Sequence, residues 1–214
     1  GASQGFVYAR GTNMKLKHLP SLVSILAAAG AALLVGSASA ETAEWTLDGS
    51  HSHVGFSVSH LVVSTVAGRF KQVSGKVALD EADLTKSHVE VTINADSIDT
   101  DEAKRDEHLK SPDFLDTKKF PVLRFISSNI TRVGGKKYKL QGDLTIHGVV
   151  KETTLDAVIS DPIKNPWGKF VRAVKLSGKI KRSDFGLTWN KALEAGGVVV
   201  GDEVTLDIQV ELNK

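Results

Sequence analysis

Lys137–His147 reads KYKLQGDLTIH, and its alternation decides the fold. Tyr138, Leu140, Gly142, Leu144 and Ile146 fall on one side of an extended chain. Lys137, Lys139, Gln141, Asp143 and Thr145 fall on the other. Successive side chains of a strand point to opposite faces, so this pattern buries one face and wets the other. The same period runs through Glu203–Leu212, EVTLDIQVEL, where Val204, Leu206, Ile208, Val210 and Leu212 alternate with mostly polar residues. It recurs at Val89, Val91 and Ile93, and again along Phe170, Arg172, Val174, Leu176, Gly178 and Ile180. Each run has the mark of a half-buried antiparallel strand.

About eight such runs follow one another: 44–60 with a break expected near Gly49, 67–80, 87–97, 121–132, 136–147, 149–160, 169–182 and 202–213. Most connectors are short and carry turn residues, such as Gly134-Gly135 and His147-Gly148. Long sequential strands with tight turns predict an all-β, eight-stranded, antiparallel up-and-down barrel. Closure also removes the two open sheet edges. One stretch breaks the period. Asp99–Lys119, DTDEAKRDEHLKSPDFLDTKK, reads as a short helical segment near one end of the barrel. Asp99 and Glu102 resemble a capping pair, Pro112 stops the run, and Pro112–Leu115 looks like a second short turn.

The ends and the composition set further bounds. The single Met14 opens a basic, then apolar, then small-residue stretch that ends Ala38-Ser39-Ala40. Residues 14–40 therefore read as a cleaved signal peptide, residues 1–13 as upstream sequence, and 41–214 as one domain. That leader implies a periplasmic location, with no stable membrane anchor. The first 40 residues hold Arg10, Lys15 and Lys17 and no acid, so the remainder carries 24 basic against 25 acidic residues. A near-neutral domain gives no support to nucleic-acid binding. The chain has no cysteine, which excludes disulfides, thiolate metal sites and a cysteine nucleophile.

DGSHSHVGFSVSH, Asp48–His60, concentrates three histidines. On a regular strand His51 and His53 share one face, while His60 shares the other with Val54, Phe56 and Val58. Two histidines are too few for a zinc site, which takes about four ligands, or three and a water. The plainer reading of His51 and His53 is a strand opening with a turn hydrogen bond, and of His60 a core or cavity histidine. Neither a Gly-x-Ser-x-Gly elbow, a phosphate-cradling glycine loop nor a His-Glu-x-x-His motif is present. Asp101/Glu102 and Asp106/Glu107 are neighbours in sequence and do not face each other on a helix. The expectation is no catalytic residue, no metal and no cofactor. Eight strands can enclose one small ligand or fill their interior with side chains. Small inward residues (Gly55 or Ala78, Gly142, Ala157, Gly178) either leave room for a ligand or mark bends.

Several ordered motifs together resemble the YceI-like lipid/polyisoprenoid-binding proteins. They are Trp45, Leu47 and Asp48; His51, Val54, Phe56 and His60; and Gly68-Arg69-Phe70. A central block adds Arg105, Asp106, His108, Leu109, Phe114, Leu115 and Pro121. Gly142, Leu144, Thr145 and Gly148 follow, then Arg182, Asp184, Phe185 and Gly186. His53 falls outside this pattern.

The resemblance implies a lipocalin-like barrel in the periplasm that binds, transports or sequesters a long-chain amphiphile: a polyisoprenoid, an isoprenoid quinone or a fatty-acid derivative. On that reading Phe56, Val58, Phe70, Ile93, Phe125, Leu144, Val174 and Leu176 touch the apolar chain. Phe114, Leu115, Trp167, Phe185 and Trp189 cover the mouth, and His60, Arg69, Arg105 or Arg172 holds a polar head. The expected partner is a long-chain lipid or isoprenoid, and a homodimer is compatible with the chain. Two other classes stay open: a metal-dependent enzyme using His51 and His53, and a stress-response protein with a filled barrel.

Overall fold

The structure, a computed structural model, describes residues 42–194 and 196–214. The expected leader, 14–40, and the stretch 1–13 lie outside the described residues.

The first strand is the long β1, Thr42–His60, followed by β2 (Ser64–Phe70), β3 (Val73–Asp80), β4 (His88–Asn94) and the short β5 (Ile98–Asp99). Helix α1, Ala103–Lys110, precedes β6 (Val122–Gly134), β7 (Lys137–Ile146) and β8 (Val149–Ile159). The short β9 (Ile163–Lys164), β10 (Phe170–Lys181) and β11 (Val200–Asn213) complete the chain. Around the sheet the order is β1, β3, β4, β6, β7, β8, β10, β11, and β11 pairs back onto β1. Eight antiparallel strands therefore close into a barrel, as the alternation predicts.

β2 and β3 pair with the two ends of the same edge of β1. β2 pairs with Val54–His60, and β3 pairs with Thr42–Thr46. The expected run 67–80 thus begins earlier, at Ser64, and is interrupted at Lys71 and Gln72. The expected break near Gly49 appears as a register slip against β11 between Asp48 and His53. It reverses which residues face inward. Trp45 and Leu47 are buried before it, while Val54 is buried after it and Phe56 and Val58 are half-buried.

Helix α1 is shorter than the sequence suggests. Glu102 caps it alone, accepting from the Lys104 and Arg105 amides, and Ser111 closes it just before Pro112. Asp99 takes no part in the cap. It lies in β5, where Arg69 Nη2 at 3.0 Å and Lys71 Nζ at 2.8 Å hold its carboxylate. The alternation of charges around 99–102 could not distinguish those two roles.

Three apolar clusters fill the barrel. One, under α1, holds Ile98, Leu115, Leu123, Ile146, Phe185 and Leu187. Trp45, Leu47, Val77, Leu79 and Leu212 form a second, and Phe125, Ile130, Tyr138, Leu140 and Ala157 a third.

Candidate ligand-binding site

Among the described residues, two apolar cavities lie in the barrel interior. The larger, about 170 Å³, lies under α1. Leu109, Phe114 and Leu115 reach it from the α1 segment, Phe185 and Leu187 from the chain after β10, and Val204, Leu206 and Ile208 from β11. Its one polar lining side chain is Arg182. The smaller, about 70 Å³, is bounded by Leu47, Leu84, Val89, Leu140, Val174, Leu176 and Leu212 among others.

Of the residues singled out from sequence, the larger cavity gathers Phe56, Val58, Phe70, Ile93, Phe114, Leu144 and Phe185. Val174 and Leu176 line the smaller one instead. Phe125 lines neither, although it is buried. Strand alternation places the strand residues among these on the inner face but says nothing of their height along the barrel, and Phe114 and Phe185 lie outside the strands.

Four expectations are corrected. His60 does not line the cavity that Val54, Phe56 and Val58 line; it is the last residue of β1, opposite Ser64 of β2 and Val200 of β11. Trp167 does not cover the mouth. It sits in the turn before β10 with 85% of its surface exposed. Arg69 and Arg105 are committed elsewhere. Arg69 pairs with Asp99, while Arg105 donates to Thr100 through Nε to Oγ1 at 2.7 Å and Nη2 to the carbonyl at 2.8 Å. Arg172 lies over the Trp45 ring, 5.5 Å from its centroid, and lines no cavity.

Of the two readings of the small inward residues, room for a ligand or a bend, Gly142 and Gly178 do not fit the first. Gly142 is covered by Phe125, and Gly178 by Leu155. A side chain at Gly178 would meet Leu155, and one at Gly142 would meet both the Ile126 carbonyl oxygen and the Phe125 ring of the neighbouring strand.

The roof depends on residues that alternation could not reveal. Arg182 is 7% exposed and donates to four backbone carbonyls. Nη1 reaches Leu187 O at 2.6 Å and Trp189 O at 2.9 Å, Nε reaches Gly201 O at 2.9 Å, and Nη2 reaches Val200 O at 3.4 Å. The guanidinium thereby ties the segment after β10 to the start of β11. Burial lowers its pKa, and the Asp202 carboxylate partly offsets that. Beside this roof, His108, Phe114 and Trp189 form an aromatic group. The His108 ring stands edge-on to Phe114 at 5.0 Å and to Trp189 at 4.8 Å, and its Nε2 meets Asp113 Oδ2 at 2.8 Å. Trp189 belongs to this cover, but Trp167 does not.

On the outer surface, Asp48 organises the β1 irregularity. Its carboxylate accepts from the Ser50 amide at 2.9 Å, the Ser50 hydroxyl at 2.6 Å and Asn213 Nδ2 at 2.9 Å, and meets His51 Nδ1 at 3.0 Å. The Ser50 and His51 contacts hold its pKa well below the usual carboxylate range, and Asp48 in turn raises that of His51. His51 thus takes the turn hydrogen bond expected of it. Its neighbours are Asp48 and Glu211 rather than His53, whose ring folds over Gly55. The side chain of His51 is 66% exposed, which suits a solvated turn.

A closed antiparallel barrel with an apolar interior is now joined to the motifs along the chain, and the YceI-like domain model matches residues 45–212. The chain belongs to the YceI-like family. A UPF0312 protein of Photorhabdus laumondii is 38% identical over 164 residues, covering 76% of this chain and 85% of its own length. The Campylobacter jejuni YceI protein has a crystal structure that is 38% identical. It superposes with a TM-score of 0.63 and covers 79% of this chain and 96% of its own. A polyisoprenoid binding domain from Saccharophagus degradans, implicated in plant cell wall breakdown, shares the fold at 18% identity. Its TM-score is 0.55, with 78% of this chain and 97% of that one covered.

Proposed function

We propose that this protein binds a long-chain amphiphile (a polyisoprenoid, an isoprenoid quinone or a fatty-acid derivative) with its apolar chain inside the barrel. It acts as a periplasmic carrier or sequestering protein and not as an enzyme. The observation that carries this reading is the larger cavity. Its lining offers apolar side chains throughout, and the one charged group, Arg182, spends its donors on backbone carbonyls. Such a lining rewards apolar surface and offers little to a polar substrate. Each methylene transferred from water contributes roughly 0.8 kcal/mol. Membership of the YceI-like family supports the reading, as does the name of the S. degradans domain. The leader-like sequence of residues 14–40 supports export.

A cavity of about 170 Å³ is close to the size that accommodates one benzene ring in an engineered protein core. Drug-sized ligands occupy roughly 300–1,000 Å³. A long chain therefore enters by displacing side chains of the roof or floor. The test is to purify the protein from a bacterial envelope, extract it with organic solvent and run mass spectrometry. A stoichiometric long-chain lipid is expected. Its absence, together with no uptake of quinone or isoprenoid analogues, would leave a barrel that works without a chain inside.

A further inference from the structure

The two cavities share the barrel interior, yet no residue lines both. β6, β7, β8 and β10 are successive neighbours in the wall. On these strands the larger cavity touches Leu123, Leu144 and Ile180, and the smaller touches Ile130, Leu140, Ala157 and Leu176. The inward positions outside both linings are Phe125 and Ser127 on β6, Gly142 on β7, Thr153 and Leu155 on β8 and Gly178 on β10, and Phe125 and Leu155 are the large apolar side chains among them. Large and small alternate across the four strands. A methyl group on Gly142 would sit 2.5 Å from Phe125 Cζ, and one on Gly178 would sit 2.6 Å from Leu155 Cδ2. Phe125 and Leu155 are 9% and 5% exposed.

Taken alone, glycines on the inner wall would mark open space. Here each is the seat of a neighbour's side chain, and those two side chains separate the cavities along the β6–β7–β8–β10 side of the wall. We propose that Phe125 and Leu155 form an internal stop that sets the longest apolar chain the barrel accepts. This rests on the function proposed above and adds to it a determinant of chain length. A chain entering from the α1 end gains apolar contact with each added carbon until it meets this floor. Further carbons then have to displace a packed side chain or stay outside, and the gain ceases.

Saturated fatty acids of increasing length test the stop, because their head group is constant and cancels along the series. For the unaltered protein, affinity should rise about fourfold per methylene and then level off. Leu155→Ala joins the two cavities and should carry the rise to longer chains. The first acids beyond the original plateau should bind about tenfold tighter or more. Gly178→Ala should act in the opposite direction. Its new methyl meets the flexible tip of Leu155, while the next nearest atom, Thr154 O, is 3.6 Å away. The strand can therefore keep its path while Leu155 is pushed toward the axis. The plateau should move to shorter chains, with the longest fitting acid bound roughly fourfold more weakly.

Phe125→Leu is a second opening variant, and it keeps an apolar group at the site if Leu155→Ala fails to fold. Circular dichroism and thermal melts confirm that each variant is folded. Opposite displacements of the plateau support the stop. An identical plateau in all folded variants overturns it while leaving chain binding intact. No binding of any acid by any of them overturns the proposed function, and the stop with it.

Discussion

Two buried arginines should respond in opposite ways to the same substitution. Arg182 and Arg172 are 7% and 6% exposed, so both have been taken out of water. Arg182 makes up that loss with four carbonyl partners, three of them within 2.9 Å. Arg182→Met keeps the apolar stem but leaves the Leu187, Trp189, Val200 and Gly201 oxygens without it. Hydrogen bonds to a charged group contribute about 1.5–3 kcal/mol each, and some of those carbonyls will regain water. The expected net cost is about 3–5 kcal/mol, in the range measured when one partner of a buried charged pair is removed. For a domain of this size, that lowers Tm by roughly 6–20 °C.

Arg172 stands differently. Its Nε and Nη1 are buried with no hydrogen-bond partner, and its main contact is the Trp45 ring at 5.5 Å. Arg172→Met gives up a cation–π contact worth about 1 kcal/mol and relieves two buried donors, each costing about 1 kcal/mol or more. The net effect should lie between about zero and a gain of about 1 kcal/mol. Urea unfolding of the three proteins measures this directly, provided the m-values agree. If Arg182→Met costs less than about 1 kcal/mol, or Arg172→Met costs as much as Arg182→Met, the reasoning from hydrogen-bond satisfaction is wrong.

Other consequences are simpler to check. Carboxyl NMR should find Asp99 titrating at about 2, because the Lys71 ammonium and the Asp101 amide both favour its charged form. The associated stabilisation is present above the unfolded value near 3.8 and is lost as pH falls through about 2. Lys71→Ala should move the titration upward, and an unmoved value would show that Lys71 is not the cause. In the β1–β2 turn, Leu61 and Val62 both adopt positive φ, at 53° and 65°, and Val62 is 69% exposed. Leu61→Asn with Val62→Gly should stabilise the protein by about 1–2 kcal/mol, since these residues tolerate that backbone. A lower Tm would mean that the two aliphatic side chains make contacts that outweigh the strain.

The barrel was legible in the sequence because alternation is a local property. Tyr138 to Ile146 and Val204 to Leu212 announce both their strands and their inner faces without reference to the rest of the chain. What failed to show through depends on register. Two register slips between β1 and β11 are hidden, one in β1 at Asp48–His53, where His51 joins a surface turn, and one in β11 at Val200–Val204, opposite the end of β1 at His60. Periodicity counted along a single strand cannot detect either slip. Height along the axis is equally hidden, so Val174 and Leu176 fall in the smaller cavity rather than beside Phe56. Gly142 and Gly178 stood for either room for a ligand or a bend, and the glycine's own strand does not say which neighbour occupies its space. Arg182 sat within a recognisable motif, yet its role depends on carbonyls as far along the chain as Gly201.

Calorimetric titration with an isoprenoid alcohol, comparing the protein with its Leu144→Trp variant, tests directly whether the chain lies in the larger cavity. Leu144 lines that space, and an indole there fills it. The expected result is one alcohol per barrel, with a negative heat-capacity change from apolar burial, and at least tenfold weaker binding to the folded variant. Equal affinity for both proteins, or no heat of binding to either, would contradict a ligand held inside the barrel.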